Sequence, residues 1–283
     1  MRGSAKSMKF HRPLTPEQAV RLGEKFPGAT PLAGGTDFMV LWNAGLLDGR
    51  TIIDLSALPW MDIKRSGGGL SIGALCTHAQ MRENPHVRGS YSLLAESCST
   101  VGGEQIQNQG TLGGNIANAS PAGDTFPPLA VYEAEIQTLG PAGARAVAFD
   151  EIFAGVKKTT LRPAELIESV CLPELRNPSR QMFRKVGTRA AQAISKVSAA
   201  GLLWLNSDGT VAELRFALGS VAPTVRRLRA AESFLAGKRL SKAHIDGACD
   251  LVLRDISPID DIRSTREYRA EVSQNLFRSF LES

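Results

Sequence analysis

Cysteine is scarce: there are four in 283 residues, Cys76, Cys98, Cys171 and Cys249, with no two closer than the 22 positions between the first pair. That spacing excludes a zinc knuckle, a CxxC redox pair and an iron–sulfur loop. Idle or buried thiols in a reducing cytoplasm are expected instead, and any electron traffic runs without a cluster held by this chain. Long apolar runs are missing too. Ala199–Leu205 is among the longest and is strand-sized, far short of the roughly 18 residues a membrane helix needs. Met1–Ser7 contains no hydrophobic signal core and is set aside from fold reasoning, so nothing points to export. With three Tyr and three Trp, none beside the densest basic cluster at Arg226, Arg227 and Arg229, base stacking has little to work with. The net charge of +5 is dispersed, that cluster reads as a solvated helical face, and nucleic-acid binding is disfavoured. Neither GxGxxG nor GxxxxGK[ST] occurs, which argues against a Rossmann fold and a P-loop.

What is present is 43% apolar and 22% charged residues, the composition of a soluble globular protein of about two domains. Thr15-Pro16-Glu17-Gln18 opens a helix with a capping box, running to about Phe26 and stopped by Pro27-Gly28. A strand at Ala29–Ala33, a helical segment at Thr36–Asn43 and a strand at Thr51–Leu55 complete a small β-α-β unit. A turn at Ser66–Gly69 precedes a strand at Leu70–Ala74, a helix capped by Thr77 and another at Leu93–Ser99. Strands follow near Glu135–Leu139, Arg145–Phe149 and Leu166–Leu172. Past a boundary near residue 177, Leu202–Leu205 pairs with Val211–Leu218 across Asn206–Gly209, with Ala212, Leu214, Phe216 and Leu218 on the buried face. Helices are expected at Val225–Ala236, Lys242–Arg254 and Thr265–Leu281, the last burying Tyr268, Val272, Leu276 and Phe280. The fold class is α+β.

Gly102–Pro128 breaks the pattern and reads as one long loop, rich in Gly, Asn, Pro and Ser yet carrying apolar residues that argue against disorder. It contains Thr111-Leu112-Gly113-Gly114-Asn115, then Ser120-Pro121 and Asp124. A second glycine pair lies in Leu32-Ala33-Gly34-Gly35-Thr36-Asp37. Alone, a glycine pair is a plain turn. Two such loops, each after an apolar segment, suit one long anionic ligand: amides and hydroxyls for a pyrophosphate, and a carboxylate for sugar or ribityl hydroxyls. The histidines His11, His78, His86 and His244 are scattered and read as surface or helix-end residues.

These two loops, with Arg184–Arg189 and Asp261–Thr265 further on, resemble the FAD-binding subunit of the molybdenum hydroxylases, the xanthine dehydrogenase and carbon monoxide dehydrogenase medium-subunit family. The likeness runs from about Phe10 to the C-terminus, and Ala119–Asp124 looks more like the xanthine dehydrogenase side. It implies a two-part FAD-binding domain of the vanillyl-alcohol-oxidase (PCMH) type over residues 8–177, divided into 8–56 and 57–177. A small sheet-and-helix domain over 178–283 follows. By the same resemblance Leu32, Ala33, Gly34, Gly35, Thr36 and Asp37 wrap the pyrophosphate, and Thr111, Gly114, Asn115 and Ser120 complete the grip. Asp124 binds the polyol or sugar, Val101 lies near the flavin ring, Leu161 touches the ring through its backbone, and Lys185 sits at the flavin edge. The chain departs from the family in carrying Gln107 and Gln109 around Asn108, where relatives often have arginines. It also lacks the cysteine-rich insertion that adds a cluster in some of them.

The resemblance implies an electron-transfer subunit in the cytoplasm with FAD as its cofactor. Its partners are a molybdenum-cofactor large subunit and a 2Fe-2S small subunit, and its acceptor is NAD, oxygen or a quinone-linked carrier. No metal site of its own and no catalytic acid–base pair is expected. Two other readings stay open: a self-sufficient flavin oxidase or reductase of the same fold, and a basic module holding RNA or a nucleotide in its glycine loops.

Overall fold

Thr15 is extended and its hydroxyl accepts from Gln18 N–H at 3.3 Å, which starts the first helix of the computed structural model, a structure that describes residues 8–283. Met1–Ser7 lie outside the described residues. The Gln18 side chain reaches back one residue further than a capping box requires, accepting from Leu14 N–H at 2.9 Å. The first unit runs β1 (Lys9–His11), α1 (Pro16–Lys25), β2 (Thr30–Leu32), α2 (Phe38–Asn43) and β3 (Thr51–Asp54). Its strands form a parallel sheet in the order β1-β3-β2. The helical crossover between β2 and β3 leaves the first glycine loop at the carboxyl end of β2, where open α/β sheets bind ligands.

The second unit contains β4 (Ile63–Ser66), β5 (Gly69–Gly73), α3 (His78–Glu83), α4 (Pro85–Ser90), α5 (Ser92–Thr100), α6 (Glu104–Gln109), α7 (Leu112–Asn118) and α8 (Phe126–Val131). It continues with β6 (Glu135–Gly140), β7 (Gly143–Ala148), β8 (Phe153–Gly155), β9 (Lys158–Thr159) and β10 (Leu166–Leu172). The antiparallel order β4-β5-β10-β6-β7 puts β10 at the centre, in keeping with its apolar sequence. The capping box at Thr77 is present, with Gln80 as its partner. The expected long loop over 102–128 is not a loop: it holds α6, α7 and the start of α8, whose Pro127 and Pro128 sit in the first turn, where missing N–H groups cost nothing.

The third unit is β11 (Arg180–Val186), β12 (Val197–Leu205), β13 (Val211–Gly219), β14 (Arg226–Arg227), α9 (Arg229–Leu235), α10 (Lys242–Asp255) and α11 (Arg266–Glu282). The sheet order is β11-β12-β13-β14, all antiparallel. β12 is buried on both faces, which explains its apolar run. Ala200, Leu202 and Trp204 join the core of the second unit, while Val197, Ala199 and Leu203 join the core under the C-terminal helices. Each fully buried Leu here contributes about 1.5–3 kcal/mol.

Three expectations need correction in this unit. Arg226 and Arg227 form a short strand rather than opening a helix, and the Arg227 side chain is only 6% exposed because Glu232 pairs with it. Ala212 is exposed, since the register of β12 and β13 shifts at Trp204/Leu205 and skips it. The buried stripe of α11 is Arg269, Ser273, Phe277 and Leu281, turned by one residue from the apolar one, while Phe280 is buried as expected. Tyr268 is left exposed because Arg269 is drawn inward by Asp261 at 2.9 Å and by the carbonyls of Lys196 and Ser220, each at 2.7 Å.

Candidate functional site

The two glycine loops meet. A Cβ on Gly34 would lie 1.7 Å from Gln109 O, so the first loop packs backbone against the stretch that enters the second, and only glycine permits it. Gly35 follows with φ +77°, turning the chain into α2. Among the described residues, the N–H groups of Gly34, Gly35, Thr36 and Asp37 have no acceptor, while Gly35 O receives Met39 N–H at 2.9 Å. Four successive free donors beside a cavity make an anion nest.

The second loop is built differently. Leu112 N–H donates to Cys76 O at 3.0 Å, Gly113 N–H to Ala74 O at 2.8 Å and Gly114 N–H to the Thr111 hydroxyl at 3.1 Å. Thr111 is thus the N-cap of α7, and its hydroxyl and the Gly114 amide satisfy each other. Gly113 is needed for contact, since a Cβ there would come within 2.6 Å of the Ala74 Cβ. Asn115 Oδ1 accepts from the Thr125 hydroxyl at 2.7 Å, which fixes the amide and leaves its Nδ2 as a donor.

A cavity of about 360 Å³ is lined by Leu32–Asp37 on one side and by Thr111, Gly114 and Asn115 on the other, with Val101 and Leu161 also in its wall. A neighbouring cavity of about 810 Å³ shares Asp37, Val101 and Asn115 with it and adds Ser120 and Asp124. Together they form one cleft running from the parallel sheet to the third unit, each part in the size range of small-molecule sites. Gln192 N–H to Gly102 O and Ser220 N–H to Pro121 O, both 2.9 Å, close the far end.

Asp124 and Lys185 are brought together, behind the cleft wall. Lys185 Nζ lies 2.6 Å from Asp124 Oδ2 and donates to Thr100 O at 2.7 Å, and Ser195 donates to Asp124 Oδ1 at 2.5 Å. Burial pushes the Asp124 carboxyl up, and Lys185 and Ser195 pull against that. Asp124 lines the larger cavity, whereas Lys185 lines neither. Gln107 is buried and spent on Arg82 and Ser99 O.

Sequence reasoning missed His78. It is 2% exposed and lines the smaller cavity, and its N–H donates to Gly110 O at 3.0 Å. Desolvation lowers its pKa to about 4, so the ring is neutral at physiological pH. The readable signal was its place directly after the Thr77 cap: Thr77 also forms a β-bridge with Thr111, which ties α3 to the second loop. Glu165 is also in the wall.

Free amides, cleft and paired loops define a site suited to a long anionic ligand, built without a Rossmann turn. Residues 6–175 match the family described as FAD binding domain in molybdopterin dehydrogenase, and residues 182–283 match the CO dehydrogenase flavoprotein C-terminal domain. The chain belongs to this family of FAD-binding medium subunits of molybdenum hydroxylases. It is 27% identical over 278 residues to the carbon monoxide dehydrogenase medium chain of Hydrogenophaga pseudoflava, covering 97% of this chain and 96% of that one. It is 28% identical over 275 residues to the xanthine dehydrogenase FAD-binding subunit of Escherichia coli O157:H7, covering 96% and 94%. Overall identity therefore favours neither side of the family. Among solved structures, carbon monoxide dehydrogenase from Hydrogenophaga pseudoflava superposes with a TM-score of 0.92 at 27% identity, covering 97% of this chain and 96% of that one. Quinoline 2-oxidoreductase from Pseudomonas putida 86 gives 0.90 at 25% identity, covering 100% and 97%. The chain is an oxidoreductase subunit, and its cofactor is FAD. The residues present fit that cofactor: the first loop offers four N–H groups without acceptors, a donor set that would suit an anionic diphosphate. Among the described residues no helix is long and apolar enough to cross a membrane.

Proposed function

We propose that the chain carries electrons through FAD. In this reading they come from 2Fe-2S clusters of a small partner subunit, fed by a molybdenum-cofactor large subunit, and leave to NAD, oxygen or a quinone-linked carrier. The observation that supports it best is the meeting of Gly34 with Gln109, which places four free N–H groups at the mouth of a cleft walled by the second loop. Bound there, FAD supplies the exchange between two-electron and one-electron chemistry. The residues of this chain bind, orient and shield it.

In this assignment Leu32–Asp37 hold the diphosphate, with the N–H groups of Gly34–Asp37 as donors. Thr111 and Gly114 set the wall, and Asn115 Nδ2 and the Ser120 hydroxyl donate to the same group. Val101 and Leu161 meet the ring, and Asp124, held by Lys185 and Ser195, accepts from the polyol. Residues 8–177, divided at 56, form the cofactor domain and 178–283 the second domain. The free, unpaired thiols fit a cytoplasmic setting.

The test is to purify the chain and record its visible spectrum, then to melt the flavin-free protein with and without FAD. Flavin absorbance and a melting temperature that rises with added FAD are expected. Mass action predicts about 2.7 kcal/mol of stabilisation at a hundredfold excess over Kd. An unchanged melting temperature contradicts the assignment. Co-purification from the native host with an iron–sulfur and a molybdenum subunit tests the electron route.

A further inference from the structure

Glu165, in the wall of the smaller cavity, forms an ion pair with Arg145 that the proposed electron route does not use. Arg145 Nε donates to Glu165 Oε1 at 2.9 Å and its terminal nitrogen to Oε2 at 2.8 Å, the bidentate form of the contact. The Thr138 hydroxyl donates to Oε1 at 2.6 Å. Glu165 is a side chain 4% exposed in the wall of the smaller cavity, and these donors hold its carboxyl down to about 2 against the cost of burial.

The pair also grips the main chain. Glu165 Oε2 accepts Arg162 N–H at 2.7 Å, and the same terminal nitrogen of Arg145 reaches Thr160 O at 3.4 Å. Those two groups belong to the peptide planes on either side of Leu161. In a trans peptide the N–H and C=O point in opposite directions. With Thr160 C=O and Arg162 N–H turned toward the ion pair, Leu161 N–H and Leu161 C=O are turned away from it. Neither has a partner among the described residues, and Leu161 lines the same cavity. Ala164, in the left-handed region at φ +60°, completes the short turn that brings Glu165 back beneath Arg162.

We propose that the Arg145–Glu165 pair is a positioning clamp that fixes Leu161 so that its free N–H and C=O face the flavin ring as a donor–acceptor couple. Such a couple matches the pyrimidine edge of the ring, which carries carbonyl acceptors flanking an N–H donor. The clamp rests on the FAD reading above. In this proposal Arg145 and Glu165 act through the backbone on either side of Leu161.

The test compares Glu165→Gln with Glu232→Gln, which breaks a bidentate pair to Arg227 away from the cleft, its arginine more deeply buried than Arg145. Both are expected to lower the melting temperature of the flavin-free chain. Only Glu165→Gln should raise the Kd for FAD, by about tenfold, and alter the position and fine structure of the flavin's visible bands. Arg145→Lys, which keeps the charge but not the fork, should give a smaller change of the same kind and serves if Glu165→Gln does not fold. Lowered stability with unchanged affinity and spectrum in both cleft variants overturns the clamp while leaving the FAD assignment standing. Absence of flavin from the unaltered chain overturns both.

Discussion

The glycine pairs Gly34-Gly35 and Gly113-Gly114 look alike in sequence and do different work. The first leaves its amides without partners, while the second spends its amides on Ala74 O and the Thr111 hydroxyl. In the first, glycine permits a positive φ and a close backbone contact beside the cleft; in the second, it permits packing against Ala74. A glycine-rich loop is therefore an anion site only where its N–H groups stay free. Two pairs that share a cleft can divide the task into charge and wall.

The sharpest way to break this contrast is Gly34→Ala. Its Cβ would stand 1.7 Å from a backbone oxygen that cannot step aside, so the loops must part. A stability cost of about 3 kcal/mol and complete loss of retained FAD are expected, read by melting and by absorbance. Acid attacks the junction from the other side. His78 has a folded pKa of about 4, below its ordinary 6.5, so the unfolded chain takes up the proton first. Its contribution is full above pH 6.5 and is lost as pH falls toward 4, by about 3 kcal/mol in total. Denaturant titrations across that window should show the loss, and His78→Gln should flatten it.

Gly35→Asp separates binding from folding. The nearest atom to its new Cβ is Leu32 Cδ1 at 3.6 Å, so the penalty is conformational, about 1–2 kcal/mol at φ +77°. FAD affinity should suffer more, because a carboxylate competes for donors whose charged hydrogen bonds contribute about 1.5–3 kcal/mol each. Equilibrium dialysis with FAD checks it. Gly114→Ala is the mildest. Its Cβ meets only the Thr111 hydroxyl, at 2.9 Å, and disturbing that cap costs about 1 kcal/mol of stability while affinity stays within about tenfold. Equal loss of flavin in Gly35→Asp and Gly114→Ala would erase the distinction between the loops.

Legibility in the sequence followed the same divide. Helix caps at Thr15 and Thr77, the β-α-β start and the hairpin at Asn206–Gly209 were readable because local residues determine them. The strip from α6 to α8 was not, because helices of six, seven and six residues are too short to show a 3.6-residue period. The α11 stripe was misplaced because a charged residue, Arg269, occupies the position that periodicity reserves for an apolar one. Both candidate loops were visible as glycine pairs. Which of them keeps its amides free depends on Ala74 and Cys76, which lie more than thirty positions upstream of the second pair and which no local pattern connects to it.

Hydrogen exchange at single-residue resolution tests that central difference most directly. The amides of Gly34, Gly35, Thr36 and Asp37 should exchange fast in the flavin-free chain and slow markedly with FAD, while those of Leu112, Gly113 and Gly114 are slow in both states. Protection arriving at 112–114 and not at 34–37 would contradict the account.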